Sequence, residues 1–257
     1  MDPLDQKVNT EELETRVKEV YTDVAEKPKA AYHFEMGRGL AEKLGYPPEV
    51  LGRIPAEAIE SFAGVGHHFD LAELKPGEHV LDLGSGSGTD IFAAALAVGP
   101  GGGVVGVDMT DRQLAKAEHL RGEGNFTNVS LIKGYIESLP VADASFDVLI
   151  SNGVINLSAE KPKVFAEARR VLKPGGRLAI SDIVSSRPLS ERIKSSAELW
   201  AACIGGAVPL WEYFRLIESA DLTLIRYRSN PSYRFLTHDE VMEKYGIKSI
   251  SLLAQKT

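Results

Sequence analysis

The sequence predicts an α/β protein: a seven-stranded, mostly parallel sheet with helices on both faces, preceded by a helical N-terminal extension. Three observations carry this. From residue 79 onward, short runs rich in Val, Ile and Leu alternate with longer stretches of helical composition, the pattern of a parallel sheet covered by helices. The first run, Val80 to Leu83, passes straight into a glycine-rich turn, and the second, Val104 to Val107, ends on Asp108. The first 70 residues show helical spacing and no strand run.

In chain order, Leu13, Val17, Val20, Tyr21 and Val24 fall on one helical face, so residues 10–27 form a first helix, with Thr10 placed to cap it. Residues 30–44 read as a second helix, stopped by Gly45 before Pro47-Pro48. Pro55 opens a third that reaches Phe62, and Gly64-Val65-Gly66-His67-His68 is a loop. Strands follow at 79–83, 103–108, 128–132, 146–151 and 177–183, with helices at 89–98, 111–121 and 160–172 between them. Pro174-Gly175-Gly176 turns the chain into the fifth strand. A helix near 190–203, ended by Gly205-Gly206, and another near 210–219 come next. Apolar stretches at 222–228 and 248–254, split by a short helix, add a closing pair of strands, one of them antiparallel. The organisation expected is a helical extension over 1–70, acting as a lid, and a binding domain over 71–257.

The composition excludes several classes. Net charge is −7 and the 29 Lys and Arg form no run, so a nucleic-acid partner is not expected. One Cys, Cys203, excludes an internal disulfide and any multi-cysteine metal site. No stretch approaches the roughly 20 apolar residues of a membrane span. The opening Met1-Asp2-Pro3-Leu4-Asp5 lacks the apolar core of a signal peptide. A cytoplasmic location, no membrane partner and no resident metal are the expectations.

The most informative stretch is Val80-Leu-Asp-Leu-Gly-Ser-Gly-Ser-Gly-Thr-Asp, residues 80–90. Gly84, Gly86 and Gly88 let backbone pass close to a ligand while the next helix starts against the strand. Asp108, about 20 residues on, suits bonding to ribose hydroxyls. The dinucleotide fingerprint would place Gly at 89, where this chain has Thr, and Asp82 would repel a pyrophosphate. An acid before the loop instead suits a ligand with an ammonium and a sulfonium charge. The cofactor this points to is S-adenosylmethionine; an ordinary glycine-rich turn and a nicotinamide cofactor are the rival readings.

The order of motifs resembles the class I S-adenosylmethionine-dependent methyltransferases, a Rossmann-like family. The shared pieces are the stretch from Val80, Gly106-Val-Asp-Met-Thr, Ser145-Phe-Asp-Val-Leu-Ile-Ser-Asn and Arg170-Val-Leu-Lys-Pro-Gly-Gly-Arg. Finer pieces resemble the arsenite methyltransferase branch: Gln113-Leu114 after Asp108-Met-Thr, Gly134-Tyr-Ile-Glu, Ser151-Asn-x-Val-x-Asn-Leu, Ser181-Asp182 and Cys203-x-Gly-Gly-Ala. The similarity covers roughly residues 60–215. Arsenite methyltransferases hold trivalent arsenic with thiolates, and two of those positions are Gly153 and Val65 here. A soft metalloid wants several thiolates, and Cys203 alone cannot supply them. The resemblance therefore implies a retained methyl donor and a changed acceptor, with metalloid methylation on a reduced ligand set, or non-catalytic cofactor binding, as alternatives.

The same resemblance assigns the cofactor site. Asp108 would hold the ribose, Met109 would lie on the adenine, and Ile136 and Glu137 would lie at its edge. Asp82, Gly84, Ser85 and Gly86 would surround the methionine end, with Gln113 alongside and Asn152 near the sulfonium. Tyr135 stands where many relatives have Asp. Methyl transfer asks mainly for positioning and desolvation, and a base only for a protonated acceptor. Candidates for that side are Tyr21, His33, His67, His68 and Cys203, with Tyr32 as a further aromatic lining. Each has an ordinary alternative as a packing or surface residue. The partner expected is a small-molecule methyl acceptor.

Overall fold

The computed structural model describes residues 9–257. Five helices precede the sheet: α1 (Thr10–Glu26), α2 (Gly37–Leu44), α3 (Pro48–Leu51), α4 (Ala56–Glu60) and α5 (Phe69–Ala72). The alternating part follows as β1 (His79–Leu83), α6 (Thr89–Val98), β2 (Gly103–Asp108), α7 (Asp111–Glu123), β3 (Val129–Lys133), β4 (Phe146–Asn152), α8 (Lys161–Val171) and β5 (Leu172–Val184). The remainder is α9 (Glu191–Lys194), α10 (Ala197–Ala201), α11 (Leu210–Ser219), β6 (Leu222–Ser229), α12 (Asp239–Tyr245) and β7 (Lys248–Lys256).

The seven strands form one sheet in the order β3-β2-β1-β4-β5-β7-β6. β1 pairs parallel with β2 on one side and β4 on the other, so the chain changes direction beside β1. In open sheets of this kind a crevice opens there, at the carboxyl ends of the strands. β7 is antiparallel to both β5 and β6, the closing pair expected from the sequence.

Alternation of buried side chains along the strands fills both faces. Val80, Val104, Val148 and Ile150 face a core shared with Ile91 and Phe92 of α6 and with α2 to α5, through Leu40, Tyr46, Leu51 and Ile59. Leu81, Leu83, Leu149 and Ile180 face the other, with Val164 and Phe165 of α8 and Tyr213 and Ile217 of α11. α1 stands apart. Its Leu13 and Val17 form a small third cluster with Trp200 and Ala201, touching Met109 and Leu157.

Several boundaries differ from the sequence reading. The helix expected over 30–44 begins only at Gly37. Phe34 instead forms an isolated antiparallel bridge with Phe235, and the Leu236 amide donates to the His33 carbonyl at 3.3 Å, so a distant segment claims the backbone before α2. The helix expected near 190–203 is two short ones. Ser196 separates them, its hydroxyl accepting from the Leu199 amide at the start of α10. That second helix stops at Ala201, before Gly205-Gly206, and Cys203 lies beyond it with φ of 61°. Asn9, not Thr10, caps α1, its Oδ1 accepting from the amides of Glu11 and Glu12.

Candidate active site

The first βα turn sets the site. Gly84, Gly86 and Gly88 have φ of 70°, 54° and 104°, left-handed values that glycine adopts without strain. At Gly84 space is also limiting: a Cβ would lie 2.5 Å from Val154 Cγ2. Above the turn is a cavity of about 420 Å³, bounded by α1, the turn, the ends of β2 and β4, and the segments 134–138 and 153–160. Thr10, Leu13, Glu14, Val17 and Tyr21 of α1 close one side.

Three buried carboxylates face this space. Asp108 is held by the amides of Gly86 at 2.9 Å and Thr110 at 2.8 Å. Burial nonetheless lifts it above the ordinary carboxylate range, against those amides. Asp90, in the first turn of α6, accepts from Tyr46 OH at 2.6 Å and from Asn152 Nδ2 at 3.1 Å, and burial raises it too. Asp82 is raised well above its usual value, by burial and then by the neighbouring carboxylates of Asp90 and Asp108. None of the cavity's lining residues is Lys or Arg. Such a field repels a pyrophosphate and attracts a cation. A ligand bearing ammonium and sulfonium charges fits it, and hydroxyls on a ribose fit the remaining acceptor capacity of Asp108. Ser85 Oγ is buried in the same wall with no partner among the described residues.

The remaining cofactor candidates surround the same space. Met109, Ile136 and Glu137 line it, with Ile136 buried and Glu137 accepting a short hydrogen bond from Ser158 Oγ. Gln113 accepts from Ser87 Oγ at 2.5 Å and donates to the Tyr21 carbonyl at 2.8 Å, tying the glycine turn to α1. Asn152 lines the cavity, but its amide is engaged: Oδ1 accepts from the Val65 amide at 2.8 Å and the Gly66 amide at 3.2 Å. Its side-chain amide thus also ties down the 64–66 loop.

Of the candidates for the acceptor side, Tyr21 lines the cavity; His33, His67, His68, Tyr32 and Cys203 do not. His33 packs edge-on against Phe34, and burial lowers its basicity. His67 packs edge-on against Tyr46 and is also lowered by burial. His68 is fully buried and lowered to about 3, out of range for a base at neutral pH. The Tyr32 hydroxyl donates to the Lys27 carbonyl at 3.0 Å. Cys203 Sγ lies 3.9 Å from Tyr21 OH and 4.0 Å from the Gly153 carbonyl, and burial pushes the thiol up to about 12. Gly153, with φ of 77°, faces Val65: a Cβ there would lie 3.1 Å from Val65 Cγ1. Val65 and Cys203 therefore both lie against Gly153, with Cys203 next to Tyr21.

Two site residues escaped the sequence reading. Asp90 had a signal, as the one acid in an otherwise apolar helix that is buried along nearly its whole length. Tyr46 had none, since its partner lies 44 residues further on.

A cation-favouring crevice at the carboxyl ends of β1 and β2, closed by a helix from outside the sheet, is the architecture of a methyltransferase. The methyltransferase domain family model matches residues 74–243. The chain is 49% identical over 172 residues to an arsenite methyltransferase of Aquipseudomonas alcaligenes, covering 64% of this chain and 49% of that one. It is 41% identical over 180 residues to the arsenite methyltransferase of Halobacterium salinarum, covering 70% of this chain and 46% of that one. It thus spans about half the length of these curated relatives. Among solved structures, an arsenic(III) S-adenosylmethionine methyltransferase from Chlamydomonas reinhardtii superposes with a TM-score of 0.69 at 34% identity, covering 82% of this chain and 73% of that one. The chain belongs to the S-adenosylmethionine-dependent methyltransferases. No helix among the described residues is long and apolar enough to cross a membrane.

Proposed function

We propose that the chain methylates a small organic acceptor seated on the Tyr21 side of the cavity, and that trivalent arsenic is not that acceptor. The carrying observation is the surroundings of Gly153, which has Val65 and Cys203 against it. A soft metalloid needs several thiolates. Here one thiol is present, burial keeps it protonated, and the Val65 side chain packs against Gly153 where a second thiol would project.

When bound, S-adenosylmethionine supplies an activated methyl group on a sulfonium. Asp108 holds the ribose hydroxyls, and Met109 and Ile136 cover the adenine, with Glu137 at its edge. Asp82 and Asp90 face the methionine end across Gly84, Ser85 and Gly86. Gln113 fixes the glycine turn against α1. Positioning and exclusion of water then do most of the work. The lid reading narrows to α1: residues 37–72 pack into the main core with the sheet, whereas α1 rests on its own small cluster.

The test is product analysis with arsenite, S-adenosylmethionine and a thiol reductant. The expected result is no methylarsenic species; robust formation would overturn the assignment of the acceptor. The paired substitutions Val65→Cys and Gly153→Cys should raise arsenite affinity if the three positions form one site.

A further inference from the structure

We propose that Tyr46 is a positioning residue for the transfer reaction: its hydroxyl holds Asp90 and Asn152 in one hydrogen-bonded node that sets the cation-binding wall of the cavity and the acceptor-side loop together. The inference rests on the reading of the cavity as the S-adenosylmethionine site.

Tyr46 lies in the turn between α2 and α3, outside the sheet, and only 2% of it is exposed. Its ring is wedged among Phe62, His67 and Phe69, with centroids 5.1, 4.7 and 5.9 Å away. Packing therefore fixes where its hydroxyl points. That hydroxyl donates to Asp90 Oδ1 at 2.6 Å and accepts from Asn152 Nδ2 at 3.0 Å. The same Nδ2 reaches Asp90 Oδ2 at 3.1 Å and the Gly66 carbonyl at 3.0 Å. With its nitrogen so engaged, the Asn152 amide can present its oxygen only one way, toward the amides of Val65 and Gly66. A single phenol thus joins a carboxylate lining the cavity to the loop whose Val65 faces Gly153.

The node also bears on how Asp90 is charged, against the larger effect of burial. The groups acting on it are Tyr46 from the α2–α3 turn, Asn152 at the end of β4, and His67 from the loop before α5. Asp82 of β1 is coupled to it, and Asp108 of β2 acts on Asp82. Tyr46 and Asn152 are donors, so they favour the carboxylate; burial opposes them. Removing the Tyr46 hydroxyl must let Asp90 take a proton at a higher pH. A cationic ligand would then be lost at a higher pH as well. A purely structural tyrosine would move stability and leave that profile alone.

The experiment uses Tyr46→Phe, which keeps the ring and removes only the hydroxyl. Binding of S-adenosylmethionine and S-adenosylhomocysteine is followed by calorimetry from neutral pH into the acid range. Amide exchange at Val65 and Gly66 is followed by NMR. The acid limb of S-adenosylmethionine binding is expected to move upward by about one pH unit, and exchange at both amides to quicken roughly tenfold, as for the loss of one strong buried hydrogen bond. Asp90→Asn should remove the share of the limb that Asp90 carries, leaving that of Asp82 and Asp108, and should quicken exchange at the two amides, because a carboxamide that accepts from Tyr46 turns its NH2 toward the Asn152 Nδ2 donor. An unshifted limb with unchanged exchange in a folded Tyr46→Phe variant overturns the proposal and leaves the cavity reading intact. Failure of the unmodified chain to bind either ligand overturns both. Should Tyr46→Phe not fold, Asp90→Asn decides alone, and a limb like that of the unmodified chain refutes the node.

Discussion

Asp108 shows how much one side chain can be asked to do. Two of its acceptor sites are already used on the amides of Gly86 and Thr110, so the carboxylate is aimed before any ligand arrives. Preorganised charge-assisted hydrogen bonds contribute roughly 1.5–3 kcal/mol each. Asp108→Ala should therefore weaken S-adenosylhomocysteine by about a hundredfold or more, and equal affinity by calorimetry would remove Asp108 from the site. The residue was legible because its signal is local: an acid ending a strand soon after a glycine turn. Asp82, Gly84 and Gly86 were legible for the same reason. Tyr46 and the true partners of Asn152 were not, because they depend on which loop packs over the strand ends. The histidines misled for the opposite cause. His33, His67 and His68 are polar by type, yet aromatic packing and burial spend them on structure.

At the scale of elements, α1 differs from the other helices of the extension. It is fastened at its edges: Gln113 donates to the Tyr21 carbonyl, Lys116 donates to the Ala25 carbonyl at 3.1 Å, and Tyr135 OH donates to Glu14 at 2.7 Å. Ser61 Oγ donates to the Val24 carbonyl at 3.0 Å and Arg112 pairs with Glu26 at 2.9 Å, so most of these ties lie at the rim of the helix, and opening α1 need not disturb the sheet. Hydrogen exchange in residues 10–26 should slow when S-adenosylhomocysteine binds, while residues 37–72 stay protected throughout. High and ligand-independent protection in 10–26 would make α1 a fixed wall. The strands and central helices were readable because apolar periodicity is written into each segment. The start of α2 and the break before α10 were not, since the first follows from the Phe34 bridge to a segment 200 residues away and the second from a serine cap inside a helical pattern.

For the whole molecule, charge is distributed against stability in the cofactor-free chain. Asp82, Asp90 and Asp108 are all raised by burial. An acid raised on folding binds more protons in the folded chain than in the unfolded one. Its contribution therefore falls as pH climbs from 3.8 through the folded value. A bound cation restores the charged form and cancels that loss. The rise in melting temperature produced by S-adenosylmethionine should accordingly be larger at about pH 7.5 than at about pH 5. S-adenosylhomocysteine, without the sulfonium charge, should show a weaker dependence. A ligand-induced rise that is the same at both pH values would count against a cation-binding role for the three acids.

The placement of β7 has a consequence for how the molecule comes into being. Among the described residues β6 hydrogen-bonds to no strand but β7, and β7 lies between β5 and β6. As the chain leaves the ribosome, β1 to β5 and the helices between them can assemble into the cofactor crevice while β6 waits beside them unpaired. Until residues 248–256 are made, β5 and β6 both present unpaired backbone on the sides that β7 will occupy. β7 fills that gap, while the outer edge of β6, with Ile225 and Tyr227 exposed beside it, stays the end of the sheet.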